Sequence, residues 1–262
     1  MPRLTNHGVD LYYETAGGDV GGAQSTVAFV NPAGYGAWVW GWQHAALAGP
    51  YETLVWDLPG TGDSGPPAGS LSVSRLVGDF EAVLADHRVA NAHVVGAGLG
   101  GMVALEHARR YDRVDALALF GTTADGSRVD ADALDSLFAP REDPAGLRNS
   151  LANAFAADLS DYPDVVADIA DWRADEDADR TGFEAQAAAM REYEADPLYE
   201  VAVPARVFHG VDDAVVPTDA GRDLAADLPR GEFLAVEGGH LCFVEESAAV
   251  NDALVGFFDE PE

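Results

Sequence analysis

The feature that most constrains this fold is a glycine-rich segment at residues 93–102, which reads His-Val-Val-Gly-Ala-Gly-Leu-Gly-Gly-Met. A short apolar run with β-branched residues ends in closely spaced glycines, and a stretch with helical character follows from Met102 to Arg110. Glycine adopts positive φ angles and lets another backbone approach closely, so this pattern predicts a strand that turns sharply into a helix. We therefore expect a βα unit near the middle of the chain.

Two motifs fit the same glycines. The spacing is that of a nucleophile elbow, G-x-S-x-G, except that Gly98 stands where the serine would be. Gly96, Gly98 and Gly101 also form G-x-G-x-x-G, which is typical of dinucleotide binding. The segment lies in mid-chain, however, and the next predicted strand, Ala116–Phe120, is followed by glycine where an acidic residue would meet a ribose hydroxyl. These points favour the elbow, and nucleotide binding is kept as an alternative.

Three further segments each follow a predicted strand. They are Asp57–Ser64 with the pattern D-x-P-G-x-G-x-S, His209–Pro217 with G-x-x-D-x-x-V-P, and Gly238–His240. In this order, together with the elbow, they resemble the α/β-hydrolase superfamily over nearly the whole chain. The resemblance implies an α/β fold with a mostly parallel, doubly wound sheet, no cofactor and no metal, and a small-molecule substrate such as an ester, a lactone or a related carbonyl compound.

In that superfamily the catalytic triad follows the chain order nucleophile, acid, histidine. The corresponding positions here are Gly98, Asp213 and His240, with Asp212 as the adjacent alternative for the acid. The resemblance also implies an oxyanion hole formed by the backbone N–H groups of Leu99 and Ala33.

The loop before Ala33 departs from the family pattern, because Asn31-Pro32 replaces the usual His-Gly. Asn31 is either an additional donor to the oxyanion or a turn residue. Thr122 and Thr123 follow a neighbouring strand and are considered as substitute nucleophiles. Cys242, the single cysteine, is expected to be a small buried side chain near His240.

Gly98 leaves the function open, because without a hydroxyl no acyl-enzyme can form at this position. The glycine is either natural or an introduced inactivating change. A natural protein could use His240 and Asp213 alone as a base dyad, for hydrolysis or for the proton abstraction of a lyase or cofactor-free oxygenase. Alternatively, it could be a non-catalytic ligand-binding homologue.

Strand and helix patterns alternate up to Phe120 and resume near Val203, which predicts parallel βαβ units. Between them the apolar residues recur at helical spacing only. We therefore predict a core of residues 1–121 and 204–262 and an inserted helical lid at 122–203. Asn31, Trp38 and Trp172 are candidates for the substrate pocket.

The charge of the chain is extreme, with 45 acidic residues against 15 basic ones, all arginine, and a formal net charge of −30. Such a negative field opposes binding to nucleic acid and to anionic membranes. It also destabilises the compact state unless salt screens it, so we expect a halophilic protein. The sequence shows no N-terminal signal pattern and no apolar run of about 18 residues, so we expect the protein to be cytoplasmic. The sequence does not indicate an oligomeric state.

Overall fold

A computed structural model describes residues 2–18 and 25–260 of the chain. Its described residues form one eight-stranded sheet in the order β1-β2-β4-β3-β5-β6-β7-β8. The strands are β1 Arg3–Asn6, β2 Val9–Ala16, β3 Thr26–Val30, β4 Glu52–Trp56, β5 Ala92–Ala97, β6 Val114–Phe120, β7 Ala205–Gly210 and β8 Gly231–Val236. The first two pairings are antiparallel and the five from β4 to β8 are parallel, which confirms the predicted mostly parallel sheet.

The burial of each strand follows from its place in the sheet. Every residue of β3 and β5, which pair with each other in the middle, is buried. A strand covered on both faces needs a continuous apolar run, which is what the sequence supplies at these positions. By contrast, β8 lies at the edge and alternates between half-buried and exposed residues.

Helices flank this sheet and connect its parallel strands. They are α1 Gly41–Leu47, α2 Val73–Asp86, α3 Leu99–Arg110, α4 Ala131–Asp135, α5 Pro144–Leu151, α6 Pro163–Glu176, α7 Arg180–Arg191, α8 Thr218–Asp227, α9 Cys242–Glu245 and α10 Ser247–Phe258. Helix α2 begins after Ser72, whose side chain accepts a hydrogen bond from the N–H of Arg75 and so caps the helix. Helix α2 packs against α3, and α1 packs against α10.

The segment between β6 and β7, residues 122–203, contains α4 to α7 and adds no strand to the sheet. Its interior holds a buried ion pair, because Nε of Arg173 lies 2.6 Å from Oδ2 of Asp177. The Arg173 guanidinium also donates to the carbonyl oxygens of Leu137 and Leu147. These bonds tie three parts of the segment, hereafter the insertion, to one another.

Within the ranges 2–18 and 25–260, no helix is long and apolar enough to cross a membrane.

Candidate functional site

The carboxyl ends of the parallel strands bring the predicted site residues to one edge of the sheet. Gly98 follows β5, Gly121 follows β6, Asp213 follows β7 and His240 follows β8. Loops at this edge are where open α/β sheets place their ligands, because the strands end there together. The described chain thus brings together residues that are up to 142 positions apart in sequence, from 98 to 240.

Gly98 has the backbone geometry of a strained elbow. Its φ is +50° and its ψ is −115°, and it caps the N-terminus of α3. Its N–H donates to the carbonyl oxygen of Phe120, while its carbonyl oxygen accepts from the Thr122 hydroxyl at 2.7 Å. A residue with a side chain would be strained at this φ by about 1–3 kcal/mol, and glycine avoids that cost.

Packing explains why Gly96 and Gly100, on either side of Gly98, have no side chain. A Cβ at Gly100 would lie 2.1 Å from the carbonyl oxygen of Val30, and a Cβ at Gly96 would lie 2.3 Å from that of Gly100. The glycine spacing of the segment therefore serves the close approach of α3 to β3 and β5.

His240 and Asp213 form a buried pair facing the elbow. His240 is 3 % exposed, and its Nδ1 lies 2.9 Å from Oδ2 of Asp213. On the other side of the ring, Nε2 lies 3.2 Å from where a Cβ at Gly98 would be. A side chain at position 98 would thus meet the free nitrogen of a histidine whose second nitrogen is held by a carboxylate. Asp212, by contrast, is exposed to solvent.

Asp213 is held in its ionised form. Burial by itself would raise the pKa of its carboxyl, but the His240 and His209 rings and their hydrogen bonds hold that pKa well below its usual range. Oδ1 also accepts from the backbone N–H groups of Val215 and Val216, at 2.9 and 3.0 Å. An ionised, oriented carboxylate at Nδ1 fixes the tautomer of His240.

Two residues of this site were missed from the sequence. Gly121, with φ +48°, leaves room for the pair, because a Cβ there would lie 2.8 Å from Oδ2 of Asp213. His209 is fully buried on β7, with Nε2 2.8 Å from the carbonyl oxygen of Val216 and 3.4 Å from Oδ2 of Asp213. The sequence offered one indication of their role, which is that each lies at the end of a predicted strand.

The loop that carries His240 is tied to the insertion. The backbone N–H of Leu241 donates to the carbonyl oxygen of Ala154, at 3.0 Å. The Glu245 carboxylate accepts from the N–H of Gly239 and from those of Ala156 and Ala157. The position of the histidine is therefore set by both the core and the insertion.

The two predicted oxyanion donors, Leu99 and Ala33, lie just after the neighbouring strands β5 and β3. Leu99 is the first residue of α3, where N–H groups have no partner within the helix, and Ala33 lies in the turn after β3. Both residues are buried. Asn31 is fully buried as well, and its amide donates to the Tyr35 carbonyl at 3.5 Å, which is a turn contact.

The insertion holds the turn after β3 directly. Oε1 of Gln186 accepts from the N–H of Gly34 at 2.7 Å, and its Nε2 donates to the carbonyl oxygen of Pro59 at 3.0 Å. Oδ1 of Asp177 accepts from the N–H of Gly36 and from the Trp38 indole. The backbone around Ala33 is thus fixed by side chains of the insertion, which sequence reasoning did not foresee.

The two tryptophans named as pocket candidates lie together in a groove. Trp38 is 6 % exposed and Trp172 is 40 % exposed, and their ring centroids are 6.5 Å apart. They line a groove of about 690 Å³ that is not lined by His240 or Gly98. A second cavity, of about 500 Å³, lies between the insertion and the 237–247 region and includes Asp212.

The other candidate nucleophiles have structural partners. The Thr122 hydroxyl donates to Gly98, and Thr123 forms a turn contact with Asp125. Cys242 is fully buried in α9, and burial raises the pKa of its thiol well above the usual range. None of these three groups is presented to His240 by a hydrogen bond among the described residues.

Comparisons with known proteins agree with the fold described above. The sequence profile of the "Alpha/beta hydrolase family" matches residues 27–253. The putative carbamate hydrolase RutD of Azorhizobium caulinodans is 28 % identical, over 99 % of both chains. The 3-oxoadipate enol-lactonase 2 of Acinetobacter baylyi is 23 % identical, over 96 % of this chain and 94 % of its own. The crystal structure of an enol-lactonase from Burkholderia xenovorans superimposes with a TM-score of 0.87 at 25 % identity, covering 99 % of this chain and 100 % of the other.

Proposed function

Because the chain belongs to the alpha/beta hydrolase family, we propose that it acts on a small ester, lactone or related carbonyl compound, with His240 as the general base. One observation carries this proposal. Nε2 of His240 faces the elbow at Gly98 while Nδ1 is held by the ionised Asp213. That is the arrangement a base needs when its proton donor stands at the elbow.

The absence of a side chain at Gly98 changes the proton donor. His240 takes a proton from a water molecule at the elbow, and the resulting hydroxide attacks the substrate carbonyl carbon. The oxyanion of the tetrahedral intermediate is stabilised by the N–H groups of Ala33 and Leu99. When the intermediate collapses, the leaving alkoxide takes the proton from His240, so the base is regenerated. Asp213 stays ionised throughout and stabilises the imidazolium.

The names of the relatives support the substrate class. Two of them are named as a carbamate hydrolase and an enol-lactonase, both for reactions at a carbonyl group. We propose further that the insertion acts as a lid over the site, since it contacts both the His240 loop and the turn that contains Ala33.

A second candidate function uses the same base on the substrate itself. With glycine at position 98, no serine hydroxyl lies between Nε2 of His240 and a bound molecule. The histidine can then remove a proton from an acidic carbon of the substrate, as in a lyase or a cofactor-free oxygenase. This candidate shares the dyad and differs in the bond that is broken.

The first test measures hydrolysis of a short-chain nitrophenyl ester and of a small lactone in molar KCl, and compares the unmodified protein with its variants. We expect slow turnover without a burst by the unmodified protein, and loss of at least about 100-fold in His240→Ala, as is typical of a general base. Gly98→Ser should show a burst of nitrophenol, because an acyl-enzyme then forms. Unchanged turnover in His240→Ala would contradict the proposal.

The acid has a matched control in its neighbour. Asp213→Asn and Asp212→Asn make the same change in charge, but only Asp213 contacts His240. We expect at least about a tenfold loss of turnover in Asp213→Asn and almost none in Asp212→Asn.

If all variants, including Gly98→Ser, are inert on esters and lactones, proton exchange at carbon is measured next. Binding without exchange would indicate a non-catalytic homologue.

A further inference from the structure

A third cavity lies away from His240, where the end of α6 meets β2 and β4. Its volume is about 350 Å³, and neither Gly98 nor His240 lines it. It combines aromatic and acidic side chains, of which the most important are Tyr12, Trp38, Trp56, Glu14, Asp57 and Glu176. Hereafter we call it the acidic cavity.

The acidic cavity contains buried polar atoms without partners. Asp57 is 4 % exposed; its Oδ2 accepts from the N–H of Asp63, but its Oδ1 has no hydrogen-bond partner among the described residues. The indole N–H of Trp56, a fully buried residue, also lacks a partner within the described ranges. A buried carboxylate oxygen costs free energy when it is left unpaired, and a hydrogen-bond donor bound in the cavity would pair with Oδ1 of Asp57.

The charge of the cavity points to a cation. No arginine is among the described residues that line it. Burial, and then the neighbouring carboxylates, raise the pKa of Glu176 to about 7 and that of Asp57 to about 6. Burial lowers the pKa of His44, the basic residue at the cavity, so it is neutral near pH 7.

An apolar groove continues from the acidic cavity. The groove of about 690 Å³ shares Trp38, Gly41 and Glu176 with it, and adds Trp42 and Trp172. The Trp42 and Trp172 rings are 5.9 Å apart. A molecule that places a positive charge between the carboxylates can therefore lay an apolar group against the tryptophans.

We propose that the acidic cavity and the adjoining groove bind a small organic ammonium ion that carries an apolar group. The ammonium donates to Asp57 and Glu176 and lies near aromatic rings, which attract cations. The apolar group packs in the groove, away from water. The described residues contain no group of three side chains placed to hold a metal ion, which favours an organic cation. The site does not depend on the catalytic proposal, because it contains none of the catalytic candidates.

The test titrates the intact protein with 2-phenylethylammonium, with tryptophan fluorescence or calorimetry as the readout. Measurements are made at constant molar KCl and about pH 8, where the amine is protonated and Glu176 is ionised. We expect saturable binding, with at least about tenfold weaker binding of both 2-phenylethanol and methylammonium, since each lacks one half of the ligand. No binding of 2-phenylethylammonium, or equal binding of either analogue, would overturn the proposal.

Matched variants locate the site. Glu176→Gln keeps an oxygen that accepts from the N–H of Trp38, but it removes the charge. Its affinity for 2-phenylethylammonium should fall at least about tenfold, whereas Glu184→Gln, an exposed control on α7, should match the unmodified protein. His240→Ala should also retain full affinity, because His240 does not line the cavity. Equal affinities of the two glutamine variants, or loss of binding in His240→Ala, would overturn the assignment.

Discussion

Glycine sets the geometry around His240 at two strand ends. Gly98 and Gly121 both have positive φ, at +50° and +48°, and both would bring a Cβ close to the His240 ring. At Gly98 the closest atom is the free Nε2, which is where the side chain of a nucleophile would approach. At Gly121 it is the Asp213 carboxylate. In the proposed mechanism the first glycine leaves open the place of a nucleophile's side chain, while the second leaves room for the His240–Asp213 pair.

Gly121→Ala should therefore damage both stability and the dyad. The new Cβ would lie 2.8 Å from Oδ2 of Asp213, and a side chain at this φ adds strain of about 1–3 kcal/mol. Gly69→Ala is the matched control, because Gly69 also has positive φ but has no atom within 4 Å of its Cβ position. Urea denaturation should show a loss of free energy of unfolding at least about 1 kcal/mol larger for Gly121→Ala. Equal losses would mean that strain alone, not contact with Asp213, makes this glycine necessary.

At the scale of elements, the insertion and the turn after β3 form one unit. Gln186 on α7 binds the backbone of both Gly34 and Pro59, and Asp177 after α6 binds Gly36 and Trp38. Arg173 fixes Asp177 from the other side, at 2.6 Å. A movement of α6 and α7 as a body would break these bonds and release the backbone next to Ala33. The geometry of the proposed oxyanion donors is therefore coupled to the packing of the insertion.

Gln186→Leu tests this coupling. The change leaves the N–H of Gly34 and the carbonyl oxygen of Pro59 buried without partners, at a cost of about 1–3 kcal/mol for each group. We expect thermal or urea unfolding to show a loss of roughly 2 kcal/mol or more. Thr181→Leu, an exposed position on the same helix, should change stability by less than about 0.5 kcal/mol. Similar stabilities of the two variants would show that these bonds contribute little.

At the scale of the whole molecule, charge is the dominant feature. The net charge of −30 arises from 45 acidic and 15 basic residues, so the acidic residues outnumber the arginines three to one. Several arginines are already shared between two carboxylates, as Arg128 is between Asp219 and Asp223 and Arg206 between Glu232 and Glu260. Repulsion among the remaining acids favours expansion of the chain at low ionic strength.

The melting temperature should therefore rise with salt. The Debye length falls from about 30 Å at 0.01 M to about 3 Å at 1 M ionic strength, which screens repulsion between surface charges. Relief of about 2 kcal/mol would raise the melting temperature by roughly 4–8 °C for a domain near this size. Calorimetry in low salt, in molar KCl and in sucrose of equal osmolality separates screening from exclusion of a cosolute. A flat or falling melting temperature in KCl would refute the hypothesis of adaptation to salt.

The sequence by itself determined the alternation of strands and helices and the positions of the candidate site residues along the chain. Buried parallel strands require continuous apolar runs, as in β3 and β5. The sharp turn after β5 requires a residue without a side chain, as at Gly98. Both requirements leave local patterns in the sequence. The segments that contain Asp213 and His240 were found because the resemblance fixes their order relative to strand ends.

The tertiary structure decided what those local patterns do not encode. Of the two adjacent aspartates, the fold buries Asp213 against His240 and leaves Asp212 exposed to solvent. The contacts of Gln186 with Gly34 and of Glu176 with Trp38 join residues 152 and 138 positions apart. Such pairs depend on how the helices pack against the sheet. The local hydrophobic pattern does not predict them, because it would be the same with any other distant partner. For the same reason the acidic cavity, which gathers side chains from β2, β4 and α6, is visible only in the folded chain.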